Sequence, residues 1–208
     1  EKKVTYQISN SYSTLNKYTS KTKNVWVVFH GIGYLSRYFL KYFKHLDPEE
    51  NYIIAPQAQS KYYLTDKYRH VGASWLTKEN TEAEIENTLA YLKEVHKAEN
   101  LKDAPNLILM GYSQGVSIAT RWVARNKIEC SKLLLHSGGL PKDLQPADFE
   151  FLKNTEIVLI YGTKDEYLNE ELLKIEHSNA KDLFGERLKI ISFGGGHEVN
   201  VKVISKFA

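Results

Sequence analysis

Six short, mainly apolar runs are spaced along this chain, and segments with helical periodicity separate most of them. The runs are Val25–Phe29, Tyr52–Ala55, Leu107–Met110, Leu133–Leu135, Ile157–Tyr161 and Leu188–Phe193. Continuous apolar strands are typical of a parallel sheet that is covered on both faces. Apolar residues recur at helical spacing from Ile85 to His96 and again after Ser113, and two further helices are predicted over Leu168–Ile175 and Val199–Phe207. This alternation predicts an α/β fold, with a mostly parallel central sheet and helices on both faces.

The N-terminal region has a different pattern. Val4, Tyr6 and Ile8 alternate with polar residues, turn-forming residues follow, and a second alternating stretch ends near Leu15. This pattern predicts an antiparallel hairpin at one edge of the sheet. The chain has 208 residues and contains no repeat, low-complexity tract or linker, so we expect a single domain over residues 1–208.

Composition argues against several classes of partner. The 28 basic residues exceed the 25 acidic ones by three, and they are scattered and mostly Lys, which argues against nucleic-acid binding. The apolar runs are far shorter than the roughly 20 residues of a membrane span. Cys130 is the single cysteine, so neither an intramolecular disulfide nor a Cys-based zinc site is expected. We expect a cytoplasmic location, although Glu1 in place of Met predicts a trimmed or processed start and leaves an upstream signal or anchor open.

A nucleophile motif follows the third apolar run. Leu107–Met110 leads into Gly111-Tyr112-Ser113-Gln114-Gly115 and then directly into a predicted helix. This is the G-x-S-x-G pattern in the strand–turn–helix setting that a nucleophile elbow requires. The glycines are needed because the turn is too tight for larger side chains. The alternative is a glycine-flanked helix cap, and we assign Ser113 as a candidate nucleophile because the motif stands in its required setting.

A serine nucleophile needs a histidine base, and three histidines follow Ser113 along the chain. His136 lies in or at the end of an apolar strand and is interpreted as structural, whereas His177 lies in a charged helical segment and is interpreted as solvated. His197 follows the last apolar run across three glycines, a loop that lets a side chain reach over the sheet. His197 is therefore the predicted base.

The acid that orients this histidine is expected between the nucleophile and the base. The run Ile157–Tyr161 leads to Asp165, which lies 52 residues after Ser113 and 32 before His197. Glu166 is the adjacent alternative. Asp143 and Asp148 lie in an irregular segment that no strand directs toward the site, so Asp165 is the predicted acid.

The first apolar run ends in His30-Gly31-Ile32-Gly33, a loop suited to binding a developing oxyanion. An elbow enzyme uses two backbone donors, one from the residue after the nucleophile and one from this loop. We assign the N–H groups of Gln114 and Ile32, with Gly31 as the alternative to Ile32. His30 precedes the nucleophile and is interpreted as a residue that holds the loop in shape.

Four motifs occur in this order: His-Gly-x-Gly at 30–33, Gly-x-Ser-Gln-Gly at 111–115, Gly-x-x-Asp at 162–165 and Gly-x-x-His at 194–197. Together they resemble the motifs of the phospholipase/carboxylesterase family of the α/β-hydrolase superfamily, which includes acyl-protein thioesterases. The resemblance runs from about Val25 to the C-terminus and includes the segments 51–58 and 73–75. It implies an α/β-hydrolase fold, a Ser113–His197–Asp165 triad and oxyanion donors at Ile32 and Gln114, and no metal or cofactor is expected. The chain departs from the family pattern at residues 34–36 and 116–117, so a phospholipid or acylated-protein preference is not carried over.

The segment Ser137–Glu156, where many relatives insert a cap domain, has only 20 residues, so no cap and an open site are expected. The aromatic residues before and at Trp75 could grip a substrate, with Tyr34 and Trp75 as the predicted contacts, or merely pack loops onto the core. The predicted activity is hydrolysis of short or medium acyl esters, and also thioesters, carried by a small molecule or another acylated substrate. The alternatives are a non-catalytic binding protein on the same fold and an amide or peptide hydrolase.

Overall fold

A computed structural model describes residues 2–168 and 170–208 of the chain. Its strands are β1 (Tyr12–Leu15), β2 (Asn24–Phe29), β3 (Asn51–Pro56), β4 (Ser60–Tyr63), β5 (Val71–Ser74), β6 (Leu107–Tyr112), β7 (Lys132–His136), β8 (Glu156–Gly162) and β9 (Leu188–Phe193). Its α-helices are α1 (Ser36–Phe39), α2 (Thr81–Ala98), α3 (Gln114–Asn126), α4 (Glu170–Phe184) and α5 (Val201–Ile204). Short 3-10 helices cover Leu40–Phe43, Leu101–Asp103, Pro146–Phe149, Gly185–Arg187 and Ser205–Phe207.

Seven strands form one sheet in the order β1-β3-β2-β6-β7-β8-β9. Every neighbouring pair is parallel except β1 and β3, which are antiparallel. All six predicted central strands lie in this sheet, and all six residues of β2 are buried. The apolar runs of β2, β3, β6, β7 and β8 therefore have the physical cause expected of them, since both faces of these strands are covered. β9 is the exception, because it lies at the sheet edge and none of its residues is fully buried.

The two faces of the sheet carry separate apolar cores. On one face, alternate residues of the strands pack with α2, α3 and α4 around Trp122. On the other face, the remaining strand residues pack with α1 and α5 around Trp26 and Phe39. The mostly parallel sheet with helices on both faces is thus confirmed, and it brings the carboxyl ends of β2, β6, β7, β8 and β9 to one edge.

The predicted N-terminal hairpin is wrong. Its second half forms β1 at the sheet edge, but residues 3–11 form no strand, and Val4, Tyr6 and Ile8 are exposed. β1 occupies the free edge of β3, with Tyr12 opposite Pro56. Asn10 then donates from Nδ2 to the Gln57 carbonyl at 2.7 Å, so the chain continues along the line of β3 instead of folding back on β1.

A small antiparallel pair, β4 and β5, lies outside the main sheet and has no counterpart among the sequence predictions. It contacts the loop after β2, because the N–H of Gly33 donates to the Ala73 carbonyl at 2.9 Å. Gly72 packs so closely on Gly33 that a Cβ at this position would lie 2.6 Å from the Gly33 carbonyl oxygen. The hairpin therefore supports the loop at the carboxyl end of β2.

The segment between β7 and β8 lies against the core and does not extend over the sheet edge. Leu140, Leu144, Phe149 and Leu152 are buried there, and the only regular element is the 3-10 turn Pro146–Phe149. Over residues 2–168 and 170–208 the fold therefore has no cap domain, as predicted. None of the helices that the structure describes is both long and apolar enough to cross a membrane.

Candidate active site

The backbone at Ser113 has the sharp conformation of a nucleophile elbow. β6 ends at Tyr112, α3 begins at Gln114, and Ser113 between them has φ +53° and ψ −122°, values that are strained for a residue with a side chain. Its N–H donates to the His136 carbonyl at 2.9 Å, which fixes the turn against β7. The strain is held in place by two well-packed elements, so the Ser113 hydroxyl has a defined position at the sheet edge.

The two glycines of the motif are required by close backbone contacts. A Cβ on Gly111 would lie 2.5 Å from the carbonyl oxygen of Gly115 and from Cα of Val116. A Cβ on Gly115 would collide with the carbonyl oxygen of Phe29 in β2. These contacts let α3 begin directly against β2 and β6, which is the reason for glycine on both sides of Ser113.

The structure brings together the three residues predicted as a triad. His197 Nε2 lies 3.0 Å from Ser113 Oγ, and His197 Nδ1 lies 2.9 Å from Asp165 Oδ2. The Asp165 side chain is completely buried and the His197 side chain is 15% exposed. Because an ionised carboxylate only accepts hydrogen bonds, Nδ1 carries the proton and Nε2 presents its lone pair to the serine.

Asp165 and Glu166 make different contacts, which separates the two acid candidates. The second carboxylate oxygen of Asp165 accepts from the N–H of Tyr167 at 2.9 Å, so both of its oxygens are engaged. Glu166 is exposed and accepts from the backbone N–H of His197 at 3.3 Å. The pKa of Glu166 lies below its ordinary value because its own backbone N–H, and then that of His197, stabilise the carboxylate. Glu166 therefore contacts the main chain of His197, and only Asp165 contacts its imidazole.

Two tyrosines hold His197 from either side. Tyr112 donates from its hydroxyl to the His197 carbonyl at 2.9 Å, and its ring centroid lies 5.3 Å from the imidazole. Tyr167 packs edge-on against the other side of the imidazole at 4.8 Å and is 67% exposed. Neither tyrosine was among the sequence-predicted site residues. The position of Tyr112 inside the G-x-S-x-G motif was the available signal for it.

Two backbone N–H groups are available beside Ser113. Within the part of the chain that the structure describes, neither Ile32 nor Gln114 donates its backbone N–H to another group. Gln114 opens α3, so its N–H also lies at the positive end of a helix. Both residues line the cavity that contains Ser113. Unpaired donors next to a nucleophile are suited to stabilising a developing negative charge.

His30 holds the loop that carries Ile32. Its Nδ1 bonds the Gly31 carbonyl at 2.8 Å, and its Nε2 accepts the Ala58 N–H at 3.2 Å. Burial lowers the pKa of His30 to about 4, which keeps the ring neutral as this pair of bonds requires. The sequence interpretation of His30 as a loop-holding residue agrees with these contacts.

Trp75 is a correction to the predicted substrate contacts. Its side chain is 1% exposed and does not line the cavity around Ser113. The indole Nε1 donates to the His30 carbonyl at 2.8 Å, and the Trp75 N–H donates to the Gln114 side-chain oxygen at 2.8 Å. The physical reason is that a buried indole needs a hydrogen-bond partner for its N–H. The His30 carbonyl supplies that partner within the core, so the indole is held away from the cavity.

Tyr34, the other predicted contact, does line the cavity. Its hydroxyl lies 3.0 Å from the hydroxyl of Tyr42, and its ring meets Tyr112 edge-on. Burial, followed by the bond to Tyr42, raises the pKa of Tyr34 to about 12, so the phenol stays neutral. Of the two predicted contacts, the structure therefore places only Tyr34 at the site.

The cavity beside Ser113 has a volume of about 530 Å³ and is open to solvent on one side. Its wall is partly apolar and aromatic, formed by Ile32, Tyr34, Tyr112, Tyr167, Leu168 and Leu172. A more polar wall is formed by Ser117, Ser137, Gly138, Gly139 and Glu176. The loop Ser137–Gly139 follows β7 at the same sheet edge, and Glu176 comes from α4. Neither was predicted, although the strand end before Ser137 was a usable signal.

His136 has a structural setting. Its Nε2 accepts from the N–H of Asn200 at 3.1 Å, and its Nδ1 lies 3.1 Å from the hydroxyl of Ser137. Burial, and then the charge of His197, lower the pKa of His136 to about 3. His136 is therefore neutral and joins two parts of the site. Its backbone carbonyl accepts the Ser113 N–H, and its side chain accepts from Asn200 in the segment that follows His197. Among the described residues no group of three or more His, Cys, Asp or Glu side chains is arranged to hold a metal ion.

Comparisons with known proteins agree with this architecture. The sequence profile of the phospholipase/carboxylesterase family matches residues 10–207. The fold is similar to a phospholipase/carboxylesterase from Dyadobacter fermentans, at 18% identity and a TM-score of 0.69, with 97% of each chain covered. It is similar to acyl-protein thioesterase 2 from Zea mays, at 14% identity and a TM-score of 0.72, covering 96% of this chain and 97% of that one. It is also similar to esterase PE8, at 20% identity and a TM-score of 0.71, covering 96% and 98%. No curated protein matches the sequence.

Proposed function

Since the chain belongs to the phospholipase/carboxylesterase family and is a hydrolase of the esterase and thioesterase type, we propose that Ser113, His197 and Asp165 are its catalytic triad. One observation carries the proposal: a continuous line of hydrogen bonds runs from Ser113 Oγ through the imidazole to the buried Asp165 carboxylate. A serine next to a neutral, oriented imidazole is the arrangement that activates a weak nucleophile.

In the proposed first step, Ser113 Oγ attacks the acyl carbonyl carbon while His197 Nε2 takes the hydroxyl proton. The carbonyl π bond breaks, and its oxygen becomes an oxyanion that the N–H groups of Ile32 and Gln114 stabilise. The Asp165 carboxylate stabilises the imidazolium and keeps its orientation. His197 then donates the proton to the leaving alkoxide or thiolate, which leaves an acyl group on Ser113.

The second step releases the acid. A water molecule gives a proton to His197 Nε2 and attacks the acyl carbonyl, again through an oxyanion at the same two donors. Collapse of this intermediate returns the proton to Ser113 Oγ and frees the carboxylic acid. No redox step or external co-reactant other than water is needed for this balance.

The proposed substrates are short or medium acyl esters, and thioesters of similar acyl length. The support is the cavity of about 530 Å³, which is open to solvent and has an aromatic and aliphatic wall. A triad and oxyanion donors act on the acyl carbonyl itself, and a thiolate leaves more readily than an alkoxide. A cap, by contrast, chiefly controls access.

The test is hydrolysis of matched esters and thioesters from acetyl to palmitoyl, together with labelling by a fluorophosphonate probe. We expect turnover of water-soluble esters to saturate below the concentration at which the substrate aggregates. Ser113→Ala is expected to abolish both turnover and labelling with an unchanged circular dichroism spectrum, because it removes the nucleophile alone.

Two results would count against the proposal. Labelling that persists in Ser113→Ala means that another residue reacts. A rate that rises only above the aggregation point, with negligible turnover of dissolved esters, indicates a lipase instead. Comparison of each ester with its matched amide separates esterase from amidase activity in the same assay.

A further inference from the structure

Glu176 occupies a position on α4 where the pattern of the helix calls for an apolar residue. Ala180, four residues further along the same stripe, is fully buried, and Leu172, four residues earlier, lines the cavity beside Ser113. The Glu176 side chain also lines this cavity and is half-buried. A carboxylate thus faces the same space as the proposed nucleophile and base.

Among the residues that the structure describes, only one oxygen of Glu176 has a hydrogen-bond partner. Oε2 accepts from the N–H of Leu140 at 2.9 Å, which joins α4 to the loop after β7. Over residues 2–168 and 170–208, no donor contacts Oε1. This oxygen lies beside Gly139, because a Cβ added to Gly139 would be 3.3 Å from it. One carboxylate oxygen therefore anchors the side chain while the other remains available in the cavity.

The charge of Glu176 is not neutralised by the protein. It forms no ion pair with any Lys, Arg or His of the described residues, and the cavity wall includes no Lys or Arg. The guanidinium of Arg121 bonds the hydroxyl of the wall residue Ser117, and it is paired with Asp143 at 2.6 Å. The cavity therefore presents one uncompensated negative charge, which favours a cation in a partly desolvated space.

Aromatic rings add a second attraction for the same kind of group. Tyr34 and Tyr167 line the cavity that Glu176 faces, and both rings are at least partly exposed. The face of an aromatic ring attracts an ammonium group through its quadrupole, and recognition of quaternary ammonium ligands uses this combination of rings and negative charge. An anionic substrate gains from neither feature.

We propose that the hydrolase prefers acyl esters that carry a positively charged ammonium group, and that Glu176 is the residue that selects them. This inference rests on the proposed function, because it assigns the substrate class of the same site. It gives Glu176 a role beyond its contact with Leu140, which an uncharged side chain could make equally well.

The experiment compares kcat/KM for two isosteric pairs of soluble esters. In one pair the alcohol is choline or its neutral isostere 3,3-dimethylbutanol. In the other the trimethylammonium group or its tert-butyl isostere ends the acyl chain. The wild-type enzyme is expected to favour the charged member of at least one pair by about threefold to tenfold. This preference should shrink as salt rises from about 0.02 M to about 0.5 M, because counterions screen a partly exposed charge.

The decisive variant is Glu176→Gln, which keeps an oxygen that can accept from Leu140 but removes the charge. We expect the ratio of charged to neutral ester kcat/KM to fall to about one. Glu171→Gln is the matched control, because it removes the same charge from an exposed position about 140° around α4, at about 100° per residue, that does not line the cavity. Its ratio should stay at the wild-type value.

Failure of this inference is distinct from failure of the proposed function. An enzyme that hydrolyses the neutral esters and is labelled at Ser113, but shows no preference for either charged ester, overturns the inference alone. So does a preference that survives in Glu176→Gln. An enzyme that hydrolyses neither member of any pair and is not labelled contradicts the proposed function itself.

Discussion

His197 is held by three hydrogen bonds, which leave one ring nitrogen facing Ser113. Asp165 accepts from Nδ1, Glu166 accepts from the backbone N–H, and Tyr112 donates to the carbonyl. Only Nε2 faces the Ser113 hydroxyl. On the proposed mechanism, a histidine whose tautomer and orientation are both fixed loses little entropy in the reaction, and the buried Asp165 would give this benefit.

Replacement of Asp165 and of Glu166, one at a time, tests which of the two acids orients His197. Asp165→Asn is expected to lower kcat by about 10³- to 10⁴-fold, because an amide no longer fixes the Nδ1–H tautomer or stabilises the imidazolium. Glu166→Gln should have a small effect, since the amide oxygen still accepts from the His197 N–H. Steady-state kinetics on a soluble ester measures both. Full activity in Asp165→Asn together with loss in Glu166→Gln would move the acid to position 166.

At the scale of the element, the elbow depends on how closely α3 approaches β2 and β6. Gly111 and Gly115 permit this approach, and the tight turn between them leaves the Ser113 backbone strained. Strain of this kind persists only where the surrounding packing over-determines it. The buried start of α3, from Gly115 to Ala119, supplies that packing.

Gly111→Ala should therefore destabilise the protein by about 2 kcal/mol or more, because the new Cβ would meet the backbone of Gly115 and Val116 rather than a flexible side chain. Gly194→Ala is the matched control, since nothing lies within 4 Å of the added Cβ. Its free energy of unfolding should change by no more than about 0.5 kcal/mol. Urea denaturation measures both variants, and equal effects would contradict the packing explanation.

The strands were predictable to within one or two residues because their apolar runs are continuous and are bounded by polar or turn-forming residues. The N-terminal hairpin was not, because the pattern of Val4, Tyr6 and Ile8 specifies a strand-like alternation but not a partner strand. β4 and β5 were missed because β4 is exposed at every residue and has no apolar face to signal it.

In the site as well, features set by a short motif were predictable, and features set by contacts between distant parts of the chain were not. The proximity of Ser113, Asp165 and His197 could be predicted because each follows a strand end within a short motif. The burial of Trp75 depends on its bond to the His30 carbonyl, 45 residues away, and the position of Glu176 at the cavity depends on its contact with Leu140, 36 residues away. No local pattern encodes such contacts, which require the packed sheet.

At the scale of the whole molecule, two buried neutral histidines link stability to pH. His30 and His136 are both fully buried, with pKa values lowered to about 4 and about 3. In the unfolded chain both titrate near the ordinary value of about 6.5. Below that value the unfolded state binds protons that the folded state excludes, so stability is fully present above about pH 6.5 and is lost as the pH falls toward 4 and then 3.

From about pH 6 to about pH 5, the free energy of unfolding should therefore fall by about 2 kcal/mol. The limit for two histidines is about 2.7 kcal/mol per pH unit, and the fall is smaller because the unfolded histidines are only partly protonated at pH 6. Urea denaturation at constant ionic strength measures this. His45→Gln, at an exposed position, should leave the slope unchanged. A free energy that stays flat across this interval would show that the two rings take up protons within the folded state.

The order of the strands along the chain also determines when, during translation, each of the three site residues is synthesised. Ser113 follows β6 and Asp165 follows β8, but His197 is delivered by the segment after β9, which the ribosome makes after every other strand. On the proposed mechanism, a nascent chain that has emerged only as far as β8 holds a serine with no base to deprotonate it. Reactivity then appears only when β9 joins the sheet beside β8, so an immature chain cannot acylate itself on metabolites that it meets during translation.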